Sequence, residues 1–156
     1  MAQYVATILW QRGADEPFRD NRYSRGHQWS FDGGVSIRAS SSPHVVPRFS
    51  DPSGVDPEEA FVASLSSCHM LTFLYLAAKA GHVVDRYEDT AEGEMAKTEA
   101  GRTWVARVTL RPRITWGGPP PDAEASAALH HAAHEECFIA NSVRTDIRCE
   151  PVDQIT

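Results

Sequence analysis

Asp56-Pro57-Glu58-Glu59-Ala60-Phe61-Val62-Ala63-Ser64-Leu65-Ser66-Ser67-Cys68-His69 opens the segment on which the fold turns, and the apolar character that begins there runs on to Gly81. Asp56 is a helix-capping residue, Pro57 suits the first helical position, and Glu59 completes an Asp-x-x-Glu capping box. Gly81 is a natural stop. The helix between is apolar nearly all round, which predicts a central, buried element. Ala63, Ser64, Ser66 and Ser67 are small and let another backbone approach closely. From Ala60 to Gly81 the segment has about the length of a membrane span. Ser64, Ser66, Ser67, His69 and Lys79 interrupt it, and Glu58 and Glu59 precede it, so burial in protein explains it better than lipid.

Strand signals lie on either side. Gln3 to Trp10 reads as a strand, and His27 to Phe31 with Val35 to Ala39 reads as a hairpin about Asp32-Gly33-Gly34. Ser40 to Asp56, rich in serine and proline, reads as an ordered loop. Thr90 to Lys97 and Arg102 to Trp116 form a second expected hairpin, with Pro112 marking an edge or a bulge. Along the latter, Trp104, Ala106, Val108 and Leu110 alternate with Val105, Arg107, Thr109 and Arg111. Asp122 opens an alanine-rich helix that ends near Cys137. Val143 to Val152 closes the chain, with Val143, Thr145, Ile147 and Cys149 on one face. Strands, helix, strands, helix, strand is an α+β order, with antiparallel sheet packed on helices.

The chain has 156 residues, enough for one domain with a real core, expected to span 1–156. Its formal net charge of −6 argues against a nucleic-acid partner. The N-terminal segment has neither a basic start nor a long apolar run, so a cytoplasmic protein is expected, with no membrane partner. Three cysteines in such a compartment do not form a disulfide framework, and each needs its own account. Cys149, on the apolar face of a strand, reads as a packed thiol. Cys68 sits in mid-helix, where the helix dipole has faded, so a reactive thiolate there needs a cation from elsewhere. Cys137 falls at the junction between the second helix and a turn.

Two motifs carry a family resemblance. The stretch Asp56 to Cys68 resembles the first-cysteine signature of the OsmC/Ohr proteins. Ala133-His134-Glu135-Glu136-Cys137-Phe138-Ile139-Ala140-Asn141-Ser142 resembles the second. The resemblance implies an OsmC-like α+β fold, with sheets around a central helix, in an intertwined homodimer. It implies a thiol-dependent peroxidase acting on organic hydroperoxides, with hydrogen peroxide as a second candidate substrate. Cys68 would be the peroxidatic cysteine, Cys137 the resolving one and Glu58 the polarising carboxylate. No resident cofactor or metal is expected; an external dithiol would reset the pair. Phe61, His69 and His134 are candidates for lining the substrate pocket.

Glu58 and Cys68 are ten residues apart, about 15 Å along a helix axis, and cannot meet within one unbroken helix. Glu58 of a second chain across a two-fold axis is the simplest source of the carboxylate, giving shared active sites. A carboxylate alone would raise a thiol pKa; a paired arginine removes that objection and stabilises the developing charge. The family's N-terminal glycine-rich arginine motif is absent, and Tyr23-Ser24-Arg25-Gly26-His27 stands in its place. Arg25 is the expected arginine, ahead of Arg22 and Arg19. His69 stands where an apolar residue is usual, and Phe138-Ile139-Ala140 replaces the family's Pro-Tyr-Ser.

Two other readings start from the same residues. His131, His134 and Cys137 recur every third position, and with Cys68 or His69 they could form a His/Cys metal site suited to zinc. A non-catalytic binding protein would keep the fold, with a pocket lined by Trp29, Phe61 and Phe73.

Overall fold

The computed structural model describes residues 1–152. The chain divides into two compact units, Met1–Ala60 and Phe61–Thr156.

The first unit holds β1 (Ala6–Leu9), β2 (His27–Phe31) and β3 (Ser36–Ala39) in one antiparallel sheet, order β1-β2-β3. The expected hairpin is present, with Trp29 opposite Ile37 and Gly34 at φ 85° in its turn. Of the strand expected over Gln3 to Trp10, only the central four residues pair. The loop after β3 returns beneath it: Val55 forms a parallel bridge to Ala39, and the Ser40 N–H donates to the Val55 carbonyl at 3.0 Å. Gly54 makes this approach possible. A Cβ there would lie 2.9 Å from the Ala39 carbonyl carbon.

Helix α1 (Pro57–Lys79) starts as its sequence dictates. The Glu59 N–H donates to Asp56 Oδ1 at 2.8 Å, and the Asp56 N–H to Glu59 Oε2 at 3.1 Å, a closed capping box. Gly81 ends it at φ 84°. The helix is long and apolar enough to cross a membrane. Within the chain it buries one stripe, Leu65, His69, Phe73 and Ala77, while Leu71 and Tyr75 stay 61% and 62% exposed.

In the second unit β4 (Val84–Asp89) pairs antiparallel with β7 (Pro112–Trp116), and β5 (Glu92–Lys97), β6 (Thr103–Leu110) and β8 (Asp146–Cys149) form a sheet of order β5-β6-β8. Strand β4 was not anticipated. The expected long strand from Arg102 to Trp116 is instead two strands in two sheets, and Pro112 opens the second of them. The closing strand is shorter than expected and runs parallel to β6, pairing Val108 with Ile147 and Leu110 with Cys149. Helix α2 (Ala123–Glu136) lies between β7 and β8 in sequence, and a parallel pairing needs such a crossover. Asp122 caps α2, accepting from the Ala125 N–H at 2.8 Å.

Two apolar clusters fill this unit. Phe73, Ala77, Ile114 and Ala133 form one, joined by Tyr87, Trp116 and Leu129; Leu65, Val108 and Leu110 form the other, joined by Phe61, Val62, Ile147 and Cys149. The outer face of the β5-β6-β8 sheet carries Arg107 between Glu94 and Asp146, and Arg111 between Glu92 and Glu150. Apolar inward and alternating charge outward is the half-buried pattern read from the sequence of β6. Asp89 ties β4 to its neighbours: it accepts from Ser66 Oγ of α1 at 2.5 Å and from the Arg111 N–H at 2.6 Å.

Candidate active site: the cysteine pair and its surroundings

Cys68 lies on α1 one position before the buried His69, so its side chain leaves the helix at the margin of the buried stripe and is half-buried. Cys137 is the C-terminal cap of α2, in an extended conformation (φ −70°, ψ 113°), and 1% exposed. The segment that follows holds it. The Ala140 N–H donates to Cys137 Sγ at 3.4 Å, the Asn141 N–H to its carbonyl at 3.0 Å, and Asn141 Nδ2 to the Glu135 carbonyl at 2.7 Å. The short 3-10 turn Ala140–Ser142 is thus the C-terminal closure of α2, and Asn141 satisfies the carbonyls that a helix end leaves open.

All three cysteines are free thiols. The Cys137 thiol is pushed up to about 11, chiefly by burial and next by its hydrogen bond to Cys68, against a lowering contribution from the Ala140 N–H. Cys68 is therefore near enough to perturb the Cys137 thiol, although the two come from different helices. One of the pair is half-open to solvent and the other is closed off and protonated at neutral pH.

Glu58 is half-buried in the first turn of α1 and makes no ion pair or hydrogen bond among the described residues. The helix is unbroken, so it does not reach the Cys68 of its own chain. Arg25, in the first unit, folds back on its own loop: its guanidinium lies 3.5 Å from the Tyr23 ring centroid, donates to the Tyr23 carbonyl, and donates to the Asn21 carbonyl at 3.1 Å. It has no carboxylate partner among the described residues. Arg22 is paired with Asp20 at 2.6 Å, and Arg19 is exposed.

The expected pocket residues do not meet around one cavity. Phe61 lines an open groove of about 390 Å³ with Trp104, Val105 and residues 142 to 145. His69 is 1% exposed and faces His130, at 3.1 Å from its Nε2 to His130 Nδ1. His134 is half-buried and close enough to His69 to help hold it neutral. Each of the alternative pocket residues Trp29, Phe61 and Phe73 has its own surroundings. Trp29 belongs to the first unit, where it donates to His27 Nε2 at 2.8 Å, and Phe73 is fully buried in a different cluster from Phe61.

Nor do His131, His134 and Cys137 converge as metal ligands. His131 points outward to Glu135 at 3.4 Å, and the buried face of α2 carries His130 and Ala133. Among the described residues, the His/Cys cluster that does form is His69, His130 and Cys149. The every-third-position reading of α2 is one residue, or about 100°, out of phase with its buried face. The signal that could have found His130 is its place one turn before Ala133 and two before Cys137.

The sequence matches the family described as OsmC-like protein over residues 50–151. A solved OsmC-like protein of unknown function from Vibrio cholerae is 50% identical, covering 97% of this chain and 100% of its own, with a TM-score of 0.94. An organic hydroperoxide resistance protein OsmC from Legionella pneumophila is 17% identical over 98% of both chains, TM-score 0.72. The organic hydroperoxide resistance protein OhrB of Bacillus subtilis is 20% identical over 97% of this chain and 98% of its own, TM-score 0.69. No match was found among curated protein sequences. At these lower identities the likeness is one of fold; the 50% identity and the match over residues 50–151 go further. The chain is a member of the OsmC-like family.

Proposed function

We propose that this protein is a thiol peroxidase that reduces organic hydroperoxides, in defence against oxidative stress, with Cys68 as nucleophile and Cys137 as resolving thiol. The observation that carries the reading is that two free thiols of unequal exposure, on different helices, lie near enough for Cys68 to perturb Cys137. The Cys68 thiolate attacks the terminal peroxide oxygen, the O–O bond breaks, and the alkoxide leaves and takes up a proton as an alcohol. Cys68 is thereby oxidised by two electrons to a sulfenic acid. Cys137 then attacks the sulfenic sulfur; an S–S bond forms and the hydroxyl leaves with a proton as water. An external dithiol reduces the disulfide by exchange. The raised pKa of Cys137 suits the second role, since it keeps that thiol protonated and unreactive toward peroxide until its neighbour is oxidised.

The active unit in this reading is a cytoplasmic homodimer with shared sites. Its support is the surface of the single chain: α1 is apolar all round, yet Leu71 and Tyr75 are largely exposed. The three-stranded sheet of the first unit has every residue of β1 exposed, and such a sheet needs an apolar partner to be stable. Glu58 of the partner chain would serve Cys68. Arg25 would supply the positive charge, since no carboxylate of the described residues neutralises it.

The test is peroxide consumption with a dithiol reductant. The wild type should turn over cumene or tert-butyl hydroperoxide, Cys68→Ser should lose at least about 10³-fold in rate, and Cys137→Ser should accumulate a trappable sulfenic acid on Cys68. A Cys68→Ser protein that retains full turnover would refute the assignment.

A further inference from the structure

His69 lies in the buried stripe of α1 between Leu65, which belongs to one apolar cluster, and Phe73, which belongs to the other. His130 of α2 stacks on Phe73, with ring centroids 4.3 Å apart, and is 4% exposed. Cys149 closes β8. Three elements distant in sequence therefore bring His69 Nε2, His130 Nδ1 and Cys149 Sγ together at the seam between the clusters, apart from the Cys68–Cys137 pair.

The three atoms form a compact triangle: 3.1 Å between the nitrogens, and 3.7 Å and 3.6 Å from the sulfur to His69 and His130. Zinc bonds of about 2.05 Å to nitrogen and about 2.3 Å to sulfur, at tetrahedral angles, give ligand edges of about 3.3 Å and 3.6 Å. Hydrogen bonds here run through a weak partner, because any path that includes the thiol uses sulfur as donor or acceptor, at 3.7 Å and 3.6 Å. A cation instead takes one lone pair from each of the three.

We propose that His69, His130 and Cys149 form a zinc(II) site, separate from the cysteine pair, that joins α1, α2 and β8 and leaves one coordination position for water or another small ligand. The ionisation state of the trio fits this use. Burial, with the neighbouring histidines, lowers both imidazoles to about 4, so their lone pairs are free at neutral pH. Burial pushes the Cys149 thiol up to about 12, so an incoming cation must displace its proton. Asp89 is near enough for its charge to be felt by His69, Cys149 and Tyr87, and it would offset the net positive charge of zinc with two neutral ligands and one thiolate. The Tyr87 hydroxyl is buried, and the described residues offer it no hydrogen-bond partner.

The discriminating experiment uses the full chain with Cys68→Ser and Cys137→Ser together, so that Cys149 is the sole thiol. Cobalt(II), a spectroscopic stand-in for zinc, should bind at one equivalent with visible bands of a tetrahedral site and a thiolate-to-cobalt charge-transfer band. One proton should be released as cobalt binds, and zinc should then displace the cobalt with no further release. Adding Cys149→Ser, or His130→Gln, should abolish the charge-transfer band or the stoichiometric binding. Sub-stoichiometric binding, or a band that survives loss of Cys149, would overturn the site. Should the double variant not fold, wild-type crystals soaked in zinc give a direct reading by anomalous scattering. A peak between His69, His130 and Cys149 supports the proposal; a peak at Cys68 and Cys137, or none, overturns it. Because the peroxidase reading uses none of His69, His130 and Cys149 in its chemistry, its failure and that of the zinc site are told apart.

Discussion

Two neighbouring cysteines differ by where their helices leave them. Cys68 is on the flank of a long helix, half-open, whereas Cys137 is sealed under the turn that ends α2. Burial and the neighbouring thiol raise Cys137 to about 11, so its thiolate is scarce at neutral pH and grows as pH rises toward that value. The step from sulfenic acid to disulfide should therefore accelerate by about tenfold per pH unit between pH 7 and 10, in proportion to the thiolate fraction. Stopped-flow measurement on pre-oxidised protein would show it, and a flat profile would mean that Cys137 is not the attacking group. At the same scale, Gly54→Ala places a methyl against the Ala39 carbonyl carbon, where backbone rather than a flexible side chain must yield. It should cost about 1–3 kcal/mol of unfolding free energy.

At the scale of elements, what could be read in advance were the ends of helices and the turns. The capping box of Asp56 and Glu59, the stop at Gly81 and the cap at Asp122 are local chemistry, and each is realised. Asp56→Ala should lower stability by about 1 kcal/mol, seen as a fall in the urea midpoint at unchanged slope. Phe73→Ala, at the centre of the α1 stripe, should cost about 3–5 kcal/mol. Strand β4 is illegible because Asp85, Glu88 and Asp89 depress strand propensity, and its pairing with β7 is set by distant partners, from Val84 with Trp116 to Asp89 with Pro112. The same holds for the candidate sites. The cysteine pair was legible through motifs that flank each thiol. The His69–His130–Cys149 cluster has no local spacing at all; it exists only once α1, α2 and β8 have packed.

At the scale of the molecule, the proposed second copy would cover the apolar face of α1 that carries Leu71 and Tyr75. Sedimentation equilibrium should give twice the 17.2 kDa chain mass, and Leu71→Glu with Tyr75→Glu should shift it toward the monomer and abolish turnover. A mixing experiment tests the shared site. Glu58→Gln and Cys68→Ser dimers, each inactive alone, should regain about a quarter of wild-type activity when subunits exchange, since random pairing makes half the dimers mixed, each with one intact site. Failure to regain any would place the working carboxylate in the same chain as the thiol. The parallel pairing of β8 with β6 bears also on how the protein is made. Strands β5 and β6 can zip together as soon as both have emerged, but the other edge of β6 has no mate until residues 146–149 have been made, and Leu110 precedes Asp146 by 36 positions. Over that interval the nascent chain holds out an unpaired strand edge, so its yield in the cell should depend on holding chaperones and on how fast the codons between β6 and β8 are read.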